Sequence, residues 1–306
     1  MENVIILGDG IAGLSAAIYA ARAQLNPVVI TGYESGGQLM WTTDVENYPG
    51  FPEGVLGPDL IERMRKQAER FGTRFVSKRC GSIGGEELNW TCDLGDETIA
   101  AKTIIVASGA TARTLGLEAE KTYMGRGIST CATCDGAFTK GKNVIVVGGG
   151  DSAMEESTFL AKFADHVTIV HRKDSFRASK IMQERALKNP KISVEWNSEV
   201  IDVKGDGTKV AQVRLRDTKT GDERDAQADF VFYAIGHIPN TDFLGELVTT
   251  DEQHKTIITN DRYMTSAPGV FACGDVQDPI WRQAVTAAGT GAAAAISVER
   301  YLAERE

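Results

Sequence analysis

Two cysteines separated by two residues, Cys131 and Cys134, have the clearest chemical potential in this chain. A C-x-x-C pair followed at once by an acidic residue, here Asp135, can interconvert dithiol and disulfide. Such a pair can also be half of a structural zinc site, which needs four nitrogen or sulfur ligands at short spacing. The other three cysteines lie far apart in the sequence and form no second pair of this kind. We therefore favour thiol–disulfide chemistry and expect no metal.

The cysteines lie just before a glycine-rich turn that occurs twice in the chain. Residues 8–13 follow an apolar run and precede an alanine-rich helical stretch, and residues 148–153 are flanked in the same way. In a dinucleotide-binding unit, the glycines allow a tight turn and close approach to a pyrophosphate, and the following helix offers unpaired N–H groups. The sequence therefore predicts two dinucleotide units. The alternative is a duplicated scaffold with one inactive site.

The residues after the next strand distinguish the two units. The second unit carries a basic cluster there: His171, Arg172, Lys173 and Arg177. An NAD site usually has an acidic residue at this point, whereas cations suit the 2′-phosphate of NADP. A cluster of surface charges is the alternative. In the first unit Glu34 comes several residues after the strand, so the sequence does not establish an acidic residue in contact with the ribose there.

A Gly-Asp pair, Gly274 and Asp275, ends an apolar run near the C-terminus. The aspartate can contact a ribityl or ribose hydroxyl, although Gly-Asp is equally common as a simple turn. Residues 281–295 are predicted to form a helix whose N-terminus could face a flavin ring. We infer that this C-terminal segment belongs to the first nucleotide unit, so the second unit is inserted within the first.

The predicted fold class is therefore α/β, with two Rossmann-like, three-layer ββα dinucleotide-binding domains, one inserted in the other. Residues 103–110 and 230–237 read as the strands that leave the first and second domains. We expect residues 1–114 and 248–306 to form the first domain and residues 115–247 the second. The polar segment 192–225 is predicted to be an antiparallel meander on the inserted domain.

Composition narrows the functional class. The 306 residues are 42% hydrophobic with a formal net charge of −9, and no run of eighteen apolar residues occurs. We expect a cytoplasmic protein that contacts neither membrane nor nucleic acid, because the chain begins without an apolar leader and nucleic-acid binding needs clustered positive charge. The one basic stretch, residues 63–74, is interpreted as a solvated helix face.

Taken together, these motifs resemble those of the low-molecular-weight thioredoxin reductases over essentially the whole chain. The matching segments are residues 131–136, 148–153, 171–172, 236–241 and 282–284, in the family's order. The resemblance implies a homodimer that takes hydride from NADPH and reduces its own Cys131–Cys134 disulfide through FAD. It also implies that electrons then pass to thioredoxin.

The resemblance assigns the cofactor contacts residue by residue. The residues expected to contact FAD are Gly8, Gly10, Ile11, Ala12, Gly13, Thr31, Gly32, Gly36, Gly37, Gln38, Leu39, Asn47, Gly109, Gly274, Asp275, Arg282, Gln283 and Ala284. The residues expected to contact NADPH are Gly148, Gly150, Asp151, Ser152, Ala153, His171, Arg172, Lys173 and Arg177.

Three of the positions that depart from the family pattern carry a charge or a thiol. Asp9 replaces a small neutral residue, and its carboxylate is expected to weaken FAD binding by repulsion unless solvent screens it. Lys173 stands where a second arginine is common, which keeps the charge and loses the planar fork. Cys273 replaces a small residue, and we expect a buried, inert thiol there.

The resemblance also implies roles for the redox residues. Cys134 is expected to face the flavin and Cys131 to attack the substrate disulfide, with Asp135 as the general acid/base or, alternatively, only a turn residue. Because both the C-x-x-C and the NADPH site belong to the inserted domain, a domain rotation between half-reactions is implied. Arg126 and Phe138 are candidates for docking thioredoxin, with internal packing as the alternative.

Three rival functions remain open from the sequence. The chain could take electrons from ferredoxin, serve a peroxiredoxin-type partner, or be a non-catalytic flavoprotein redox sensor. The cations at Arg172 and Arg177 disfavour ferredoxin. We expect no extra N-terminal thioredoxin-like domain, and this expectation disfavours the peroxiredoxin-type partner.

Overall fold

The computed structural model describes residues 1–42 and 44–305. The strands are β1 (Glu2–Leu7), β2 (Val28–Ile30), β3 (Asp44–Val45), β4 (Val55–Leu56), β5 (Arg74–Val76), β6 (Ser82–Glu86), β7 (Asn89–Asp93), β8 (Thr98–Val106), β9 (Ala110–Ala112), β10 (Ile128–Ser129), β11 (Asn143–Gly148), β12 (His166–His171), β13 (Ile192–Trp196), β14 (Ser198–Gly205), β15 (Val210–Asp217), β16 (Glu223–Gln227), β17 (Phe230–Ala234), β18 (His237–Pro239) and β19 (Val270–Ala272). The α-helices are α1 (Ile11–Arg22), α2 (Gly57–Arg70), α3 (Glu120–Tyr123), α4 (Ala132–Asp135), α5 (Asp151–Leu160), α6 (Lys180–Leu187) and α7 (Ala284–Ala303).

The chain forms two compact units. The first consists of Met1–Thr111 and Ile238–Glu306, and the second of Ala112–His237. The chain passes from the first unit to the second after Thr111 and returns after His237. The boundaries expected from the sequence lie later in the chain, after residues 114 and 247. Among the described residues, no helix is both long and apolar enough to cross a membrane.

The first unit is built on a mixed sheet. Its strands follow the order β5-β2-β1-β8-β7-β6, and β19 pairs in parallel with β8. Alternate residues of β1 point to opposite faces. Ile6 packs with the small residues of α1 and α7, whereas Ile5 packs with Trp90 on the other face. The central strands are buried on both faces, which explains their nearly continuous apolar sequence.

The second unit has three layers. Its parallel sheet has the order β10-β17-β11-β12-β13, and the antiparallel strands β14, β15 and β16 form a separate sheet. Val146 of β11 packs with residues of α5, and Val147 packs with Val213 of the antiparallel sheet. The predicted α/β class with Rossmann-like units is confirmed.

One strand was assigned wrongly from the sequence. The polar meander was expected to begin at Ile192, but β13 pairs in parallel with β12, with Ile192 opposite Val167. Ile192 is 9% exposed and belongs to the core beneath the helices. The antiparallel meander therefore starts with β14, because burial of Ile192 and its neighbours places the preceding strand in the main sheet.

Candidate functional site

The first glycine loop joins β1 to α1. Gly8 has φ +108°, and a Cβ built there would lie 2.4 Å from the carbonyl oxygen of Ala107. A Cβ on Gly13 would lie 1.9 Å from the carbonyl oxygen of Gly8. A Cβ on Gly10 would meet nothing within 4 Å. Two glycines are thus required by packing, and Gly10 borders open space at the helix N-terminus, where a pyrophosphate fits.

Asp9 within this loop is not screened by solvent, which corrects one of the two expectations for it. The side chain is 3% exposed, and its Oδ1 accepts a hydrogen bond of 2.9 Å from the Gly36 amide. Its Oδ2 accepts hydrogen bonds from the Ser35 hydroxyl and from Arg65, whose Nη1 lies 3.3 Å away. Arg65 was interpreted from the sequence as part of a solvated face, and that interpretation is wrong for this residue.

The loop after β2 carries the predicted residues Thr31 to Leu39. The Thr31 amide donates to Val76 and the Gly32 amide to Lys78, so the loop follows the edge of the sheet. Gly36 has φ +94°, and a Cβ there would lie 2.6 Å from Met40. Backbone hydrogen bonds therefore hold this loop to the edge of the sheet, and Asp9 joins it to the first glycine loop.

Helix α7 completes the first site from the C-terminal part of the chain. A Cβ on Gly291 would lie 2.1 Å from the Ala12 carbonyl oxygen, so α7 packs closely against α1. The side-chain amide of Asn47 donates to Gln283 Oε1 at 3.3 Å, and Gln283 caps α7. The predicted contacts Asn47, Gln283 and Ala284 are thus brought together.

Asp275 lies in a 3₁₀ turn, Gly274–Val276, that precedes this helix in the chain. Burial raises the pKa of its carboxyl to about 6, with a smaller contribution from Asp278. No donor among the described residues forms a hydrogen bond with this carboxylate. A partly buried acceptor of this kind fits a ligand hydroxyl, and the contact of Asp275 with such a hydroxyl stays a prediction.

Gly109 follows β8, whose end lies beside the first glycine loop. Asn240 holds this turn: its amide donates to the Gly109 carbonyl at 3.0 Å and its side chain donates to the Ser108 carbonyl at 2.9 Å. Asn240 was recognised in the sequence only as part of a matching segment. Its role in shaping the turn depends on a contact between residues far apart in sequence.

The second glycine loop repeats the geometry of the first. A Cβ on Gly148 would lie 2.5 Å from the Ala234 carbonyl oxygen, and one on Gly150 would meet nothing within 4 Å. A Cβ on Gly149 would lie 2.2 Å from the His171 ring. The loop therefore leaves the same open space at the start of α5.

His171 is a core residue in this structure. Its ring is 8% exposed, lies against Phe176 and Trp196, and is 3.0 Å from the Ser175 carbonyl oxygen. Burial lowers its pKa, and the nearby cations Arg172 and Arg177 lower it further. The ring thus fills the space that a side chain at Gly149 would occupy. A direct contact with NADPH stays a prediction.

The basic loop is anchored to the glycine loop. The Arg177 amide donates to the Gly149 carbonyl at 2.8 Å, while the side chains of Arg172, Lys173 and Arg177 are exposed. Asp151 accepts hydrogen bonds from the Ser179 amide and hydroxyl at 2.8 Å. The backbone that forms the open turn therefore also positions Arg177.

The redox turn is formed by α4, and a disulfide joins Cys131 and Cys134. The Cys131 amide donates to the buried Ser129 hydroxyl at 3.1 Å, and the Cys134 amide donates to the Cys131 carbonyl at 3.2 Å. Because their sulfur atoms are bonded to each other, the cysteines in this state are not thiolate ligands for zinc. Ser129 was missed from the sequence, since only its position two residues before Cys131 could have indicated it.

Asp135 ends this one-turn helix. Burial raises the pKa of its carboxyl, and a hydrogen bond with Ser129 partly opposes that shift. A carboxyl whose pKa is raised towards neutrality can hold and release a proton near the sulfur atoms. The proposed acid/base role is thus consistent with the environment of Asp135.

The remaining cysteines are all buried. Cys273 is fully buried, which raises its pKa to about 12, as expected for an inert thiol. Cys80, just before β6, and Cys92, on β7, are free thiols that interact with each other. This interaction lowers the pKa of Cys80 and raises that of Cys92.

The comparisons with known proteins agree with this geometry. Residues 2–291 match the family described as pyridine nucleotide-disulphide oxidoreductase. The chain belongs to this pyridine nucleotide-disulphide oxidoreductase family, so the resemblance seen in the sequence is confirmed.

Individual relatives refine the class. The chain is 50% identical over 306 residues to a thioredoxin reductase of Mycolicibacterium smegmatis, covering 100% of this chain and 98% of that protein. It is 51% identical to a thioredoxin reductase of Streptomyces clavuligerus, with 99% and 94% covered. The crystal structure of thioredoxin reductase from Streptococcus pyogenes matches with a TM-score of 0.95 at 41% identity, covering 99% of each chain.

Proposed function

We propose that this chain is an NADPH-dependent thioredoxin-disulfide reductase that passes electrons through FAD and the Cys131–Cys134 disulfide to oxidised thioredoxin. The observation that carries the proposal is the disulfide on α4, in the same unit as a glycine loop bordered by exposed arginines. The full-length similarity to thioredoxin reductases supports thioredoxin as the substrate.

The two open turns fit the two cofactors of this proposal. Gly10 and the residues of α1, the loop after β2, Asp275 and the start of α7 would hold FAD. Gly150 and the cations Arg172 and Arg177 would hold NADPH, since guanidinium groups pair with phosphate. FAD, when bound, converts hydride from NADPH into an electron pair that a disulfide can accept. We further propose that the two units move relative to each other between the half-reactions.

Reduction of the Cys131–Cys134 disulfide consumes two electrons and breaks the sulfur–sulfur bond, leaving one thiolate and, after protonation, one thiol. We assign the donation of that proton to Asp135, because it ends the same helix and burial raises the pKa of its carboxyl. The Cys131 thiolate then attacks thioredoxin disulfide, and Cys134 resolves the mixed disulfide. Cys134 is the thiol assigned to face the flavin.

Single cysteine variants test this proposal. We expect Cys131→Ser and Cys134→Ser each to abolish NADPH-dependent reduction of thioredoxin, because exchange needs an attacking and a resolving sulfur. In Cys134→Ser, Cys131 should still form a covalent adduct with a thioredoxin that lacks its resolving cysteine. In Cys131→Ser, the remaining thiolate should add a long-wavelength absorbance band to the bound flavin.

The matched control is Cys80→Ala, which removes a buried thiol outside the redox turn and should retain turnover. If both redox variants reduce thioredoxin at the wild-type rate, the assignment of the redox centre is wrong. If an adduct forms only through Cys134, the two roles are reversed. A wild-type protein that binds FAD and reduces it with NADPH but never turns over thioredoxin would support the redox-sensor alternative.

Arg126 and Phe138 are proposed to dock thioredoxin. Arg126 is exposed and the Phe138 ring is 39% exposed, so neither is the internal packing residue that the alternative required. An exposed cation and an aromatic ring suit a partner surface that is acidic and partly apolar. Replacing each by Ala should raise KM for thioredoxin by about tenfold and leave flavin reduction by NADPH unchanged. Wild-type KM values in both variants would refute this docking surface.

We also propose a homodimer in the cytoplasm. Several large side chains among the described residues of the first unit are more than half exposed, including Tyr33, Trp41, Ile280 and Trp281. Exposed apolar surface of this kind is typical of protein interfaces. Sedimentation equilibrium of the wild type and of Trp281→Ser tests the dimer, and a monomeric wild type would exclude it. The cytoplasm is proposed because catalytic dithiols need a reducing compartment, and cell fractionation tests it.

A further inference from the structure

The buried carboxylate of Asp9 is an unusual neighbour for a pyrophosphate site. The side chain follows Gly8 and precedes Gly10, the residue that borders the open turn. Only 3% of it is exposed, so water does not screen its charge. An unpaired carboxylate at this point would oppose binding of a dinucleotide, because its charge has the same sign as the pyrophosphate.

Arg65 supplies the compensating charge from helix α2. Its Nη1 lies 3.3 Å from Asp9 Oδ2 and 3.2 Å from the Ser35 hydroxyl. The guanidinium carbon lies 4.1 Å from the centroid of the Phe75 ring, and Nε lies 3.2 Å from Glu69 Oε1. Stacking and ion pairing on several sides hold this cation in place, although 30% of the side chain is exposed.

The same carboxylate ties together two sides of the open turn. Asp9 Oδ1 accepts from the Gly36 amide, and Oδ2 accepts from the Ser35 hydroxyl. The next residue, Gly37, has φ +69°, and a Cβ built there would lie 3.3 Å from the Gly10 Cα. The loop after β2 is therefore held directly against the residue that borders the proposed pyrophosphate position.

We propose that Asp9, Ser35 and Arg65 form a charge-balanced latch that positions the loop of residues 31–37 for FAD. The inference rests on the proposed function, since it assumes that this turn binds FAD. Asp9 and Arg65 are positioning residues whose effects on FAD affinity depend on each other. Loss of Arg65 alone leaves the buried negative charge of Asp9 beside the pyrophosphate. Loss of both charges leaves an uncharged contact between the two loops.

The test is a double-mutant cycle on the full-length apoprotein, with the dissociation constant of FAD measured by titration calorimetry. Arg65→Gln should weaken FAD binding about tenfold or more. Asp9→Asn keeps an acceptor for the Gly36 amide and should stay within about threefold of wild type. The double variant should recover to within about threefold as well.

The control is Arg63→Gln, which removes an exposed cation from the same helix and should leave FAD affinity unchanged. A purely structural role for the pair would lower the apoprotein melting temperature without coupling in FAD affinity. If Arg65→Gln weakens FAD binding equally in the wild type and in the Asp9→Asn variant, the proposal is overturned. Wild-type affinity in Arg65→Gln would overturn it as well.

If Arg65→Gln does not fold, Arg65→Met takes its place in the cycle with the same expected loss, and Arg65→Lys is added as a variant that keeps the charge. Arg65→Lys keeps the charge and loses the planar guanidinium group. We expect its dissociation constant for FAD to stay within about threefold of the wild-type value. A loss of about tenfold would overturn the charge-balance argument. If the wild-type apoprotein takes up no FAD, the proposed function fails. If it binds FAD and all variants match it, only the latch fails.

Discussion

The two glycine loops have similar open turns, but different side chains fill the space beside their middle residues. In the first loop the middle residue is Asp9, whose carboxylate reaches the next loop and Arg65. In the second loop it is Gly149, and the space that a side chain would take is filled by the His171 ring. The flanking glycines thus form the turn, and the middle residue decides how the turn is supported.

The largest expected effect comes from filling the space at Gly149. Gly149→Ala places a Cβ 2.2 Å from the His171 ring, a contact that requires the ring or the loop to move. We expect a loss of about 3 kcal/mol in the free energy of unfolding, measured by urea denaturation. Gly150→Ala meets nothing within 4 Å and should retain stability while weakening NADPH binding. Equal stability in the two variants would contradict the proposed support by His171.

The second expected effect concerns the cations that occur only in the second unit. Arg172→Ala combined with Arg177→Ala should lower kcat/KM for NADPH by about 100-fold, mainly through KM, because two phosphate contacts are removed. The value for NADH should change little. Steady-state kinetics with both nucleotides provide the measurement. A wild type that uses both with equal kcat/KM would show that the cluster is only surface charge.

A smaller effect is expected at Glu156, a largely buried acid on α5. Burial raises its pKa to about 8 from 4.5, and its Oε2 has no hydrogen-bond partner in the described part of the chain. The folded protein therefore holds this proton where the unfolded chain loses it, so stability falls between about pH 4.5 and 8. Glu156→Gln should flatten this fall and stabilise the protein by about 2 kcal/mol at pH 8.5. If the melting temperature depends on pH in the same way in the wild type and in Glu156→Gln, this prediction is contradicted.

The smallest effect is expected at Asp275, a partly buried acid of the first unit. Its pKa is raised from 3.8 to about 6, so its contribution to stability is present below about pH 4 and is lost as pH rises through 6. Asp275→Asn should stabilise the apoprotein by about 1 kcal/mol at pH 7.5 and have little effect at pH 4. Thermal unfolding at both pH values distinguishes this pH-dependent stabilisation from a general effect of the substitution, which would be the same at both.

Much of the site could be predicted because its signals are local. The glycine turns, the flanking strands and the Cys131-x-x-Cys134 pair are each written in a few consecutive residues, and the strand–turn–helix order identifies them. The basic cluster is recognisable for the same reason, since its distance from the glycines is set by one helix and one strand. The α/β class followed from these repeated units.

The remaining features depend on contacts between distant segments. Asp9 and Arg65 are far apart in sequence, and a helix with several cations resembles a solvated face until one of them meets a buried carboxylate. The packing of the His171 ring against Phe176 and Trp196 could not be read from the sequence, and its contact with NADPH stays a prediction. The sequence by itself determined the two turns and the redox pair, because backbone geometry and thiol chemistry are local. Only the tertiary structure decided which charges are paired and which side chains are buried, because burial depends on the segments that pack around each residue.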